Sequence, residues 1–218
     1  MIKEAQLAIT GGFQFVKVHT GQKFYLANAE IEVLATWEDL NPWVINDGNE
    51  TNTVLRFTMT NKDGGTPVTQ LWTGDAQRWL SRYLCAMYGA YLESDMVSVG
   101  HHGNVGCEID LYDTVKATTV WWPHNAKAVR NYLKPSNVKV GFQYEVDQYL
   151  CNNISSVQYI FASGQIEGSA GVNNYTTLKL TVNGPDYDNI YDLLTGERLE
   201  YTTYDSNGNG VSSCMKKH

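Results

Sequence analysis

Several signals that would settle the class of this chain at sight are missing. Its four cysteines, Cys85, Cys107, Cys151 and Cys214, include no C-x-x-C pair, which speaks against a zinc ribbon or a thioredoxin-type motif. Their wide spacing in a chain of 218 residues marks them as free thiols rather than a disulfide frame. No apolar stretch approaches the roughly 18 residues that a membrane-spanning helix needs. No apolar core of a secretion signal follows the start at Met1, so the default compartment is cytoplasmic. Cations are scarce: 16 Lys and Arg stand against 23 Asp and Glu, for a net charge of −7. Binding to a phosphate backbone needs clustered Lys and Arg, so nucleic acid is not the expected partner. There are five histidines, at 19, 101, 102, 124 and 218, and no two form H-x-H.

What is present is the composition of a folded chain, 43% hydrophobic and 12% aromatic, long enough to bury a core without staples. The first half alternates apolar and polar residues as strands do. Strands are expected at Phe13–Val18, Lys23–Leu26, Ala29–Ala35, Thr53–Thr60 and Val68–Thr73. Between the last two, Asn61–Thr66 reads as a hairpin turn. After Gly74 and Asp75 the period changes. Leu80, Tyr83, Leu84, Met87, Tyr88 and Tyr91 fall at helical spacing over Ala76–Leu92, with Asp75 where an N-cap would sit. Further strands are expected at Asp95–Gly100, Thr118–Trp122, Val157–Ala162 and Thr176–Val182, and helices at Asn125–Leu133 and Tyr144–Asn152. The stretch 184–218 is polar and turn-rich and reads as an extension beyond a domain of residues 1–183. Within it, Asp205–Gly210 matches the start of a calcium loop, but the closing ligand position falls on Lys216 instead of Glu, so no calcium site is expected.

Two motifs carry the chemistry. Leu71–Trp72–Thr73–Gly74–Asp75 is a strand end, a glycine turn and a carboxylate. Val97–Ser98–Val99–Gly100–His101–His102–Gly103 is a strand end followed by paired histidines. A carboxylate and an imidazole, each presented from the end of a core strand, can converge on one zinc ion, and a carboxylate can bridge two. His124, after Trp121, Trp122 and Pro123, lies at a third strand end and could line a substrate pocket there.

The order strand–TGD–helix–strand–HHG resembles the metallo-β-lactamase superfamily, in the branch of bacterial competence (DNA-uptake) proteins. That branch carries a comparable "LLTGD" strand end and a "D-hydrophobic-x-K-V-x-HHGS" strand; Leu71–Asp75 and Asp95–Gly103 match these. Gly21–Leu34 and Asn49–Phe57 are similar to its upstream hairpin and strand, so the likeness covers roughly residues 17–180. It implies an α/β fold of the αββα sandwich type with a mixed sheet and flanking helices. It also implies hydrolysis at a two-zinc centre, of a phosphoester or other small molecule. Carried over residue by residue, Asp75 corresponds to the bridging aspartate and His101 to the late histidine, both catalytic through the metal, with His102 as the alternative ligand.

The family's main ligand motif, H-x-H-x-D-H, has no counterpart here, and Asn104 stands where a serine is usual. A dinuclear site takes about five or six strong ligands. The expectation is therefore the C-terminal half of such a domain, holding one zinc or none alone. Two explanations compete: a truncated piece whose N-terminal half is encoded elsewhere, or a free-standing half completed by a partner or a homodimer. The alternative function is a catalytically inactive binding domain derived from the same fold.

Overall fold

The structure, a computed structural model, describes residues 16–39, 48–60, 64–124, 142–162, 179–181, 184–186, 190–192 and 213–216. Four antiparallel strands come first: β1 (Lys23–Leu26), β2 (Ala29–Ala35), β3 (Val54–Met59) and β4 (Val68–Trp72). The alternating stretches predicted as strands pair in the register that their pattern demands, with Leu55 opposite Trp72 and Phe57 opposite Gln70. The pattern then switches to helix–strand alternation, and the sheet switches with it. β5 (Met96–Ser98), β6 (Thr119–Trp122) and β7 (Tyr159–Ala162) run parallel to β4 and to one another. The linking helices are α1 (Arg78–Tyr88), α2 (Ile109–Val115) and α3 (Phe142–Gln148), the last continued by a π turn at Tyr149–Asn153. β11 (Ser213–Lys216) adds antiparallel to β7, and β10 (Ile190–Asp192) adds parallel to β11. This makes a nine-stranded mixed sheet, while β8 (Lys179–Thr181) and β9 (Gly184–Asp186) form a separate pair.

The mixed α/β class is as expected. The register Leu71–Val97–Val120–Ile160 makes one continuous apolar row across β4 to β7. These four residues are fully buried with Leu80 and Leu84 of α1, Leu111 and Val115 of α2, and Val146 of α3. The helices therefore cover one face of the sheet. At about 25 cal/mol per Å2, each such side chain contributes on the order of 1.5–3 kcal/mol. The opposite face carries an aromatic row, Phe57–Trp72–Trp121–Phe161, with ring centroids 6.3, 5.0 and 5.3 Å apart in turn.

Several expectations need correction. Asp75 is not the N-cap: α1 begins three residues later, with Gln77 in the cap position. The reason is local, since Ala76 N–H closes a turn on the Thr73 carbonyl and holds Asp75 out of the helix. Residues 16–18 of the expected strand Phe13–Val18 are not extended in a sheet, and its first three residues lie outside the described ones, as do Asn125–Leu133 and Asp205–Gly210. The short helix α2 was not predicted. Part of 184–218 joins the main sheet as β10 and β11. Among the described residues no helix is long and apolar enough to cross a membrane.

Candidate functional site

The carboxyl ends of three neighbouring parallel strands deliver the candidate residues to one edge of the sheet. Asp75 follows β4, His101 and His102 follow β5, and Pro123 and His124 follow β6. Ligands of open α/β sheets bind at such edges, where backbone groups and loop side chains converge.

Two buried residues lock β4 to β5 just before the motifs begin. Thr73 N–H donates to Ser98 Oγ at 2.8 Å, and Thr73 Oγ1 donates to the Ser98 carbonyl at 3.0 Å. Asn52 Nδ2 donates to the Thr73 carbonyl from the other side. Farther down, Asp95 Oδ2 accepts from Thr69 N–H at 2.7 Å and from Thr69 Oγ1 at 3.0 Å. The relative height of the two strand ends, and so of Asp75 and the histidines, is set by these contacts.

The HHG turn is strained. His101 (φ 48), His102 (φ 57) and Gly103 (φ 82) occupy the left-handed region in succession. For a residue with a Cβ that conformation costs about 1–2 kcal/mol, and it persists where the surroundings over-determine it. Here His101 N–H donates to the Gly74 carbonyl at 3.0 Å, tying one motif to the other. Asn104 N–H donates to the His101 carbonyl at 2.7 Å. Trp122 Nε1 donates to the His102 carbonyl at 2.9 Å. Gly100 and Gly106 pack backbone to backbone below the turn, where neither tolerates a Cβ.

The two histidines are placed differently. His101 has a side-chain amide on each ring nitrogen: Asn49 Nδ2 is 3.3 Å from Nε2, and Gln77 Nε2 is 3.3 Å from Nδ1. His102 faces Asp75, with Nε2 3.4 Å from Asp75 Oδ1. Its other nitrogen, Nδ1, lies 3.0 Å from the Pro123 carbonyl oxygen. A carbonyl only accepts, so Nδ1 carries the hydrogen and Nε2 is left to face a carboxylate. The two side chains are 55% and 45% exposed, so water can satisfy each, and their spacing also suits two ligands of one metal ion. A tetrahedral zinc with bonds of about 2.0–2.1 Å sets its ligand atoms roughly 3.4 Å apart, so the pair fits one edge of such a coordination shell. The Pro123 carbonyl is the kind of partner that fixes the tautomer and aim of a metal-binding imidazole.

The fit extends to two positions. Among the described residues, no group of three or more His, Cys, Asp or Glu is placed to hold a metal ion. His124 lies near His102. Burial, and then His102, push the His124 pKa below the usual imidazole value, so a neutral ring is favoured there. His19, treated as structural, has Nδ1 2.7 Å from Glu38 Oε2.

Sequence reasoning passed over Asn49, Gln77, Ser98 and Asp147, all of which bear on the site. Ser98, inside the quoted strand-end motif, and Asn49, at the start of the quoted stretch Asn49–Phe57, lay in segments the sequence had marked; Gln77 and Asp147 did not. Asp147 is fully buried below the HHG turn, and among the described residues neither carboxyl oxygen has a hydrogen-bond partner. Comparison of the chain with protein-family models, with curated proteins and with solved structures gives no match.

Proposed function

We propose that the protein is a metal-dependent hydrolase acting on phosphoesters, and that this chain forms the C-terminal half of a metallo-β-lactamase-type αββα sandwich. The observation that carries the reading is the Asp75–His102 pair. An imidazole with its Nδ1–H committed to Pro123 points its remaining nitrogen at a carboxylate oxygen 3.4 Å away. Both groups are open to solvent, and a cation seated between them would be held by both.

Asp75 supplies a carboxylate oxygen and His102 a pre-aimed imidazole nitrogen to that cation, with zinc the chemical match. Bound there, the ion would act as a Lewis acid and activate water near neutral pH. The chain's own groups orient and exclude. The Thr73–Ser98 lock fixes the spacing of the two ligands. The amides of Asn49 and Gln77 hold His101 beside them. His124, kept neutral, offers a hydrogen-bonding ring on the β6 side where a substrate would lie. The ligands beyond these two come from an N-terminal half or from a second copy of the chain.

A second reading, a binding domain of the same descent without catalysis, is favoured by the count of converging ligands among the described residues. Zinc loading followed by desalting and metal analysis separates the two, with hydrolysis of bis-(p-nitrophenyl) phosphate measured alongside. Retained zinc in the wild type, lost in Asp75→Ala and His102→Ala but kept in His101→Ala, is the expected result. A folded wild type that retains no zinc would overturn the hydrolase reading for this chain.

A further inference from the structure

Asp147, on α3, belongs to neither motif, yet it lies directly beneath one of them. A Cβ built on Gly103 would stand 2.8 Å from Asp147 Oδ1 and 2.8 Å from Trp122 Nε1. The carboxyl, Gly100, Gly103, Cys107 and Tyr112 enclose a crevice with no room for a water molecule. Among the described residues, the titratable groups facing it are the Tyr112 phenol from α2 and the Cys107 thiol from the preceding loop. Gly103 of the HHG turn sits over both this carboxyl and the edge of the Trp122 indole of β6. Among the described residues both oxygens lack partners, and a charged carboxylate in such a place is costly. Burial holds the proton on, pushing the pKa up to about 8.

An unpartnered carboxyl is a poor filler. An apolar side chain of similar size would serve packing better, because an unsatisfied buried polar group costs about 1–3 kcal/mol. Its place under three successive left-handed residues gives it a task. We propose that Asp147 is a positioning residue for His102, acting through the HHG turn: uncharged, it is the floor on which the strained turn closes, and charged, it opens the turn. Losing its proton to solvent leaves a charge that must be hydrated. The crevice admits no water while Gly103 sits above it, so hydration requires Gly103 to lift. His102 precedes Gly103 directly and is carried away from Asp75. The functional meaning rests on the Asp75–His102 reading, but the device itself does not.

The experiment is amide hydrogen exchange by NMR on the zinc-free full chain, from pH 6 to 9.5, corrected for intrinsic base catalysis, for wild type and Asp147→Asn. The His101 and Asn104 amides, which close the turn, are the reporters. Wild-type protection should fall about tenfold per pH unit up to the Asp147 pKa near 8 and level off above it, while Asp147→Asn stays flat. A wild-type profile without an inflection, or an Asn variant that follows the wild type, overturns the proposal. Should the variant fail to fold, the carbon-13 titration of the Asp147 carboxyl in the wild type decides: its midpoint must coincide with the exchange inflection, and separate midpoints overturn it. No metal is used, so an inflection in a chain that never retains zinc would refute the hydrolase and leave the positioning role standing. Retained zinc with a flat profile would do the reverse.

Discussion

Replacing Gly103 by alanine tests the geometry of the site at its tightest point. Gly103 sits at φ 82, and a methyl group there would lie 2.8 Å from Asp147 Oδ1 and from Trp122 Nε1 and Cζ2. Neither neighbour can yield: both side chains are fully buried, and the indole is committed to the His102 carbonyl. The left-handed backbone costs an alanine about 1–2 kcal/mol, and overpacking costs about 1–3 kcal/mol more. Shifting the indole forfeits its hydrogen bond, worth about 1 kcal/mol. The expected destabilisation is about 3–6 kcal/mol in all. Gly21 provides the control, with a similar φ of 84 and nothing within 4 Å of its Cβ position. Gly21→Ala should therefore cost only the backbone part, about 1–2 kcal/mol. Urea denaturation followed by tryptophan fluorescence reads both. At the slope usual for small domains, Gly103→Ala lowers the midpoint by about 1–3 M. Equal losses in the two variants would refute the reasoning, because they would mean that nothing packs against the HHG turn from below.

Three further outcomes follow from the same contacts. The raised Asp147 pKa makes folding take up a proton, so its stability contribution is complete below about 3.8 and lost as pH rises through about 8; wild type should lose about 1.4 kcal/mol per pH unit across that window relative to Asp147→Asn, read by urea midpoints at pH 5, 6, 7 and 8, and parallel curves would contradict it. Ser98→Ala leaves the buried Thr73 N–H unpaired and should cost about 1–3 kcal/mol, with zinc retention weakened as Asp75 loses its fixed height; an unchanged urea midpoint would show the strand lock to be idle. Asp95→Ala removes both bonds from Thr69 and should cost about 1.5–3 kcal/mol without lowering zinc per folded chain, since it acts at the opposite end of the strands; zinc lost from folded protein would contradict that.

The fold was legible where neighbours in sequence decide structure. Lys23–Leu26 and Ala29–Ala35 form strands with the expected bounds because alternation is a local signal. Leu80 and Leu84 mark α1 by their spacing. α2 escaped because Ile109–Val115 spans two turns and mixes β-branched residues with two aspartates, too short a run for a period to show. The site was legible as a pair of motifs but not as a pairing. Both histidines follow the same strand, and only the left-handed turn decides that His102 points to Asp75 while His101 turns between Asn49 and Gln77. Asp147 had no signal at all: an aspartate on a short helix reads as a solvated face, and its burial depends on a turn more than 40 residues earlier in the chain.

The order of the sheet bears on how the chain folds as it is synthesised. From β1 to β7, neighbours in space are neighbours in sequence, so each strand can dock on a completed edge soon after it leaves the ribosome, and no early strand waits for a late one. The exception is β11, which pairs with β7 from the far end of the chain. Until that final stretch is made, the β7 edge stands open beside an aromatic face, the condition under which nascent chains pair with one another. A pause in synthesis between β7 and β11 would prolong that exposure, so the rate of synthesis over this stretch bears on the soluble yield.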